Sequence, residues 1–416
     1  MSMRVLHFVP SLESINGSAS RRYKLAMFET MARSVDVCVL TFETGDVPLD
    51  GVFTYSNSGT DFFPRRIHNF LTDKLSSFNP DIVHIHGCWN MQAYKLFGEC
   101  VIRKIPTVIS LDRQLEEWHV RQNYLFCKLP KMLRFQRYML SHAGALHFVN
   151  RQEQDSFYRF GWHPCIKAKH PLNDRGVMIE AFNLIGDMSA KDMSEKMLAL
   201  YQKVIDSVPF DRMDDNELHV EDLLVLAGAV GGDAKIHVSQ EYVALIKKLD
   251  CKAWRRIFLH SSDEGILDYI RVGIKVMNVP VHDVNVSGID RFSSNMDVVG
   301  KNYYGYKSTY LKSDASLPDF ERELCMSVVS MLDKINDASV HRSDFVKFGQ
   351  MLRSNEYDED LVCNKLKTMK VLDSASRLLQ IMKERYALGE GFMFADPLDD
   401  KGTMKMRKKL FKSRIQ

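Results

Sequence analysis

Along the first 165 residues, short runs of apolar, often β-branched side chains alternate with stretches whose apolar residues recur every three or four positions. The runs at 4–9, 35–41, 81–86, 106–111 and 145–149 predict strands, and the stretches at 20–32, 66–77, 91–103 and 131–142 predict helices. Strand and helix in strict alternation build a parallel sheet covered on both faces, because each parallel crossover needs a helix to carry the chain back. Beyond Pro171 the texture changes. Val and Ile no longer gather into strand-length runs, and apolar residues return at helical spacing. Val362, Leu366, Met369, Leu372, Leu379, Met382 and Tyr386 are the clearest case and predict one helix closing at Gly389. The expected fold is α/β: a Rossmann-like parallel-sheet domain over 1–170, then a mainly helical domain over 171–416. The turn-rich His170-Pro171-Leu172-Asn173-Asp174 marks the boundary.

Composition narrows the class. At 416 residues, 45% hydrophobic and 26% charged, the chain is an ordinary globular protein too long for one core. A net charge of +3 gives no uniformly basic surface, so nucleic acid is not an expected partner. Eight cysteines lack C-x-x-C spacing, which argues against zinc ribbons and dithiol redox sites and for reduced packing residues. The opening MSMRVLHFVPS has too short an apolar run for a signal peptide, and no stretch holds 18 uninterrupted apolar residues. A cytoplasmic location is the resulting expectation. No His, Asp and Glu set has metal-ligand spacing, so no metal is expected.

Local charge adds one surface. Arg121, Lys128, Lys131, Arg134 and Arg137 run without an intervening acid and interleave with Tyr124, Leu125, Phe126, Leu129, Met132, Leu133 and Phe135. Such a stretch suits an anionic membrane at the inner face of the cytoplasmic membrane, and equally a helix packed on the sheet with a solvated basic face. The basic tail over 401–414 is either a solubilising segment or a second membrane contact.

Open parallel sheets bind ligands beyond the carboxyl ends of their strands, so the residues after each strand carry the candidate chemistry. After the first strand, Asn16-Gly17-Ser18 offers a turn and free backbone N–H groups that either hold a phosphate or carboxylate or simply start a helix. His86-Gly87 ends the third, with an imidazole placed to contact a hydroxyl or to serve the core. Asp112-Arg113 follows the fourth. Asp112 there is either a general base on a hydroxyl beside an anion-steering Arg113, or a helix cap beside a surface ion pair.

Taken in order, MRVLHFVPSLESINGSASRRYKLA, PDIVHIHGCWN, IPTVISLDRQLEEWH and LSHAGALHFVNRQEQDSF resemble the acceptor-side half of glycosyltransferase family 4, retaining enzymes of the two-domain GT-B fold. The resemblance covers about the first 165 residues. It implies transfer of a sugar from a nucleotide-sugar donor to a glycan or lipid-linked acceptor in bacterial surface polysaccharide synthesis. The nucleotide sugar would be a substrate and no further cofactor would be needed. His86 matches the family's cleft histidine, and Asp112 stands where that family carries a catalytic histidine. The catalytic candidates are therefore Asp112 and His86, and the substrate-binding candidates Gly17, Ser18, Gly87, Arg113 and Glu264. Departures are plain: only Gly17 remains of a glycine pair, Arg113 replaces a glycine, and no two glutamates have seven residues between them. His260-Ser261-Ser262-Asp263-Glu264 follows that donor motif in outline, while Ser261 and Glu264 also fit a helix capping box. Asp174-Arg175-Gly176-Val177 before 179–182 is similar to a phosphate-gripping turn and helix. A non-catalytic scaffold on a degenerate transferase fold is the competing expectation, and a sugar-nucleotide epimerase a third.

Overall fold

The computed structural model describes residues 2–10, 18–41, 52–56, 64–160, 178–181, 189–207, 213–230, 245–281, 283–293, 304–337, 339–354 and 356–412. It divides into two units, Met1–Val208 and Pro209–Gln416.

The first unit is a seven-stranded parallel sheet of β1 (Arg4–Phe8), β2 (Asp36–Thr41), β3 (Val52–Ser56), β4 (Ile82–His86), β5 (Thr107–Ser110), β6 (Ala145–Phe148) and β7 (Met178–Ala181). Their order is β3-β2-β1-β4-β5-β6-β7. Five are the expected strands, each a residue or two shorter. The edge strands β3 and β7 have no counterpart in the sequence expectation, since VFTYS and MIEA are short and mixed in polarity. Edges are commonly made this way, because a short edge invites less pairing with another chain. Strand β7 also stands where the sequence suggested the start of a helix at 179–181; residue 182 lies outside the described residues.

Helices α1 (Ser18–Met31), α2 (Pro64–Phe78), α3 (Met91–Ile102), α4 (Glu117–Arg121), α5 (Arg151–Phe160) and α6 (Ala190–Asp206) accompany the sheet, with π- and α-helical turns over 124–142. Strand side chains alternate between faces, so each strand feeds two cores. Leu6, Phe8, Val83, Ile85, Ile109 and Phe148 pack with Leu71 and Leu75 of α2, Leu96 and Phe97 of α3, and Phe135 and Met139. On the opposite face Val5, Val37, Val39, Ile82, Val108 and Ala145 meet Met27, Phe28 and Met31 of α1 and Met193, Met197, Leu200, Tyr201 and Val204 of α6. Burying each such aliphatic or aromatic side chain stabilises by roughly 1.5–3 kcal/mol. Because α6 seals this second face, the first unit runs to Val208, past the expected boundary at 170. The turn-rich residues 170–174 and the 174–177 turn lie outside the described residues.

The second unit is helical, and no strand occurs among its described residues. It comprises α7 (Asp215–Val230), α8 (Cys251–Asp263), α9 (Leu267–Val276), α10 (Gly305–Lys312), α11 (Asp319–Asp337), α12 (Arg342–Ser354), α13 (Glu359–Thr368), α14 (Leu372–Tyr386) and α15 (Lys401–Lys412). The expected single helix through 362–386 is two. Lys370 takes a left-handed φ of 56°, and Val371 N–H returns to Leu366 C=O at 3.0 Å, closing α13 in a Schellman turn. The basic tail is a docked helix: Thr403 of α15 is buried, Met406 and Leu410 pack on the core, and Arg407 pairs with Glu384 and Asp399. No described helix is long and apolar enough to cross a membrane. No disulfide links the described cysteines to one another, and Cys165 lies outside the described residues.

Candidate functional site

The face of the sheet covered by α1 and α6 carries a row of polar side chains inside its apolar core. His7 of β1 lies in register with His84 of β4, His86 with Ser110 of β5, and Ser110 with His147 of β6. Registered neighbours and i, i+2 positions share a face, so four imidazoles and a hydroxyl converge, all buried. His84 Nδ1 lies 2.5 Å from the Tyr201 hydroxyl and its Nε2 2.6 Å from Ser110 Oγ, which in turn lies 2.6 Å from His147 Nδ1. Among the described residues Tyr201 O–H has only His84 to receive its proton, which fixes the chain's direction. Tyr201 donates to His84 Nδ1, His84 Nε2–H donates to Ser110, and Ser110 donates to His147 Nδ1. Burial, reinforced by the neighbouring positive groups, holds His7 and His84 well below the ordinary imidazole range, so both are neutral.

At the strand ends this row meets a charged group. Lys24 of α1 donates to Asp112 Oδ2 at 2.8 Å, and His86 Nδ1 faces the same oxygen at 3.6 Å. His86 Nε2 lies 3.3 Å from His7 Nδ1. Asp112 and Arg113 take consecutive left-handed φ values of 50° and 63°, a conformation that side chains other than glycine adopt at a cost and that concentrates at functional turns. Burial pushes the Asp112 carboxyl up, but Lys24 and His86 outweigh it and hold the group far below the usual carboxylate range. Burial and Lys24 lower His86, with Asp112 opposing them. Asp112 Oδ1 and His7 Nε2 have no hydrogen-bond partner among the described residues. The group sits beside the β1/β4 boundary, where the strand order reverses and doubly wound sheets open a crevice.

Of the sequence candidates, Asp112 and His86 come together here. Asp112 does not cap the following helix; α4 begins after Glu116 with no side-chain cap. Gly87, at φ 91°, is needed by the turn itself, since a Cβ there would press on Gln114, whose Oε1 accepts Cys88 N–H at 2.9 Å. Arg113 is turned to Glu116, with bonds of 2.6 and 3.1 Å, an ion pair as in the alternative expectation, though the Glu116 carboxylate is buried and only the arginine is exposed. Ser18 is the first residue of α1 and Gly17 lies outside the described residues. Glu264 lies elsewhere, buried in the second unit, where it accepts Arg342 N–H at 2.8 Å and approaches His260 Nε2 at 3.6 Å. It is the C-cap of α8, not part of a capping box: Ser261 lies inside α8 and donates to Glu221.

Two members escaped sequence reasoning. Lys24 occupies the core stripe of α1 with Met27, Phe28 and Met31, at i, i+3, i+4 and i+7, so a lysine at an apolar position was the available signal. His7 stands between Val5 and Val9 in a strand that should be apolar throughout.

No family model and no curated protein matches this chain. A solved structure assigned as a UDP-N-acetylglucosamine 2-epimerase from Listeria monocytogenes aligns over 96% of this chain and 99% of its own, at TM-score 0.30 and 11% identity. At that score two chains overlap only loosely, and the α/β fold stands on the sheet order itself.

Proposed function

We propose that the first unit is the acceptor-side half of a glycosyltransferase that moves a sugar from a nucleotide-sugar donor to a glycan or lipid-linked acceptor, as in bacterial surface polysaccharide synthesis. One observation carries the reading: a Lys24–Asp112–His86 group, under a strained turn, at the carboxyl ends of β4 and β5 beside the strand-order reversal. A carboxylate held ionised this firmly is a weak proton acceptor but a strong fixed charge. Asp112 Oδ1 would accept a hydrogen bond from the attacking hydroxyl and face the positive charge that develops on the donor sugar, while Lys24, buried and paired with Asp112, keeps that carboxylate ionised. His86, whose Nε2 faces His7, positions Asp112. Backbone N–H groups at Gly17 and Ser18 would serve the phosphates, while Gly87, whose N–H donates to Ser110 C=O at 2.7 Å, would shape the turn beside them; the nucleotide sugar would be substrate with no cofactor beside it.

Membrane docking belongs to the same proposal. Met132, Phe135 and Met139 are buried, yet Leu125, Phe126 and Leu133 are exposed, Phe126 by 93%, beside exposed Arg121, Arg134 and Arg137. A surface of that kind fits an anionic bilayer at the inner face of the cytoplasmic membrane, where a lipid-linked acceptor would be presented.

Calorimetry against UDP-, GDP- and ADP-sugars tests the reading, followed by transfer assays with and without vesicles of anionic lipid. Asp112→Asn is expected to keep donor affinity within a few-fold and to lose transfer by about 10²–10³-fold. Wild-type turnover in that variant would overturn the role of Asp112. One observation favours a second reading, a non-catalytic scaffold: Glu264, the outline match to the donor motif, is committed to the fold. A chain that binds none of the sugar nucleotides would support it.

A further inference from the structure

His7, His84 and His86 each present a nitrogen within 4.8 Å of the other two. His7 Nδ1 and His86 Nε2 are 3.3 Å apart, longer than the about 2.9–3.0 Å of an ordinary N–H donor bond. Two nitrogens bound at about 2.0–2.1 Å to one tetrahedral ion lie roughly 3.3 Å from each other. The remaining nitrogen of His86 faces Asp112 at 3.6 Å without a hydrogen bond, the layout though not yet the contact of the carboxylate–histidine pair that orients an imidazole toward a metal. His84 fits as a third ligand without moving a proton. Its Nδ1 carries a lone pair that Tyr201 O–H now occupies, so an ion displaces one hydroxyl while Nε2–H keeps Ser110.

The geometry points to a site for a divalent transition metal of the zinc type, made by His7, His84 and His86 and braced by Asp112 and Ser110. Imidazole ligands suit zinc, cobalt, nickel and copper, and the neutral state in which burial holds these rings leaves their lone pairs available at neutral pH. Strand geometry hides such a set from sequence spacing: two ligands are i, i+2 on β4 and the third comes from β1. Lys24 is a built-in opponent, placing a positive charge on the same carboxylate that braces His86.

The site stands independently of sugar transfer and is tested with no sugar nucleotide present. The full chain, stripped with chelator, is titrated with Co(II) and Zn(II). One equivalent with the visible absorption of tetrahedral Co(II) is expected. Asp112→Asn should weaken uptake about 10–100-fold. Tyr201→Phe, which removes only the competing hydroxyl, should strengthen it about fivefold, the equivalent of one neutral hydrogen bond. His7→Gln should abolish the Co(II) spectrum, while His142→Gln, at an exposed histidine, leaves it unchanged. No stoichiometric uptake by the wild-type chain overturns the site, as does an unchanged spectrum in folded His7→Gln. Should His7→Gln not fold, Tyr201→Phe decides: a gain supports the site and no gain overturns it.

Discussion

Two buried polar clusters among the described residues, one in each unit, are built on opposite terms. In the helical unit every lone-pair direction of Glu221 is taken: His260 Nδ1 lies 2.8 Å from both oxygens, Ser261 Oγ donates at 2.7 Å, and Arg342 pairs with it and with Asp222. Burial pushes Glu221 up, yet His260 and Arg342 prevail and hold it below the usual range. In the sheet unit Asp112 has one oxygen with no partner among the described residues, on a backbone bent into an unfavourable region. A saturated carboxylate ties helices together. One left with a buried, unpaired oxygen at strand ends, on a strained turn, keeps an accepting position that the fold does not use.

The contrast can be broken most forcefully at Arg342. Arg342→Met leaves Glu221 and Asp222 short of their cation, and a loss of about 3–5 kcal/mol is expected for the helical unit in urea unfolding. A loss under about 1 kcal/mol would mean that saturation does not hold that fold.

Next in size is acid. His7, His84 and His147 are all lowered by burial, so the unfolded chain takes up protons below pH 6.5 that the fold refuses. Their stabilisation is complete above that pH and is lost as pH falls. Three such rings should reduce the stability of the sheet unit by about 2 kcal/mol between pH 7 and pH 6. Unfolding midpoints that coincide at the two pH values would show that the rings titrate freely.

A smaller effect is expected at Glu153 of α5, beneath the strand ends, which accepts Leu115 N–H at 3.4 Å and Val149 N–H at 3.2 Å. Burial pushes its carboxyl up to about 8. A raised carboxyl favours the fold below its unfolded value and loses that advantage as pH climbs through the folded one. Glu153→Gln should therefore gain about 1 kcal/mol or more at pH 8 relative to pH 5. Equal stability of variant and parent across that range would place the carboxylate in water.

Sequence periodicity revealed the sheet because the central strands are apolar on both faces, and it concealed β3 and β7 because short edge strands need not be. It also revealed helical character after residue 172 but joined α13 to α14, since the break at Lys370 rests on one left-handed residue that no glycine announces. Within the site, Asp112 and His86 were legible from their position after strands. Their roles were not, because those depend on Lys24, which lies 88 residues from Asp112 in sequence, and on His7, which lies 79 from His86. Glu264 shows the reverse failure: a spacing that suggested a ligand contact describes the end of a helix.

The contact between His84 and Tyr201 also has a place in time. The two residues are 117 positions apart, and α6, which carries Tyr201, is the last element of its unit to be synthesised. At translation rates of about 5–20 residues per second, roughly 6–23 s separate their emergence. Throughout that interval the histidine face has no α6 over it. The row of imidazoles is thus finished last in the unit, and whatever is to be enclosed beside it meets an open sheet before it meets a closed one.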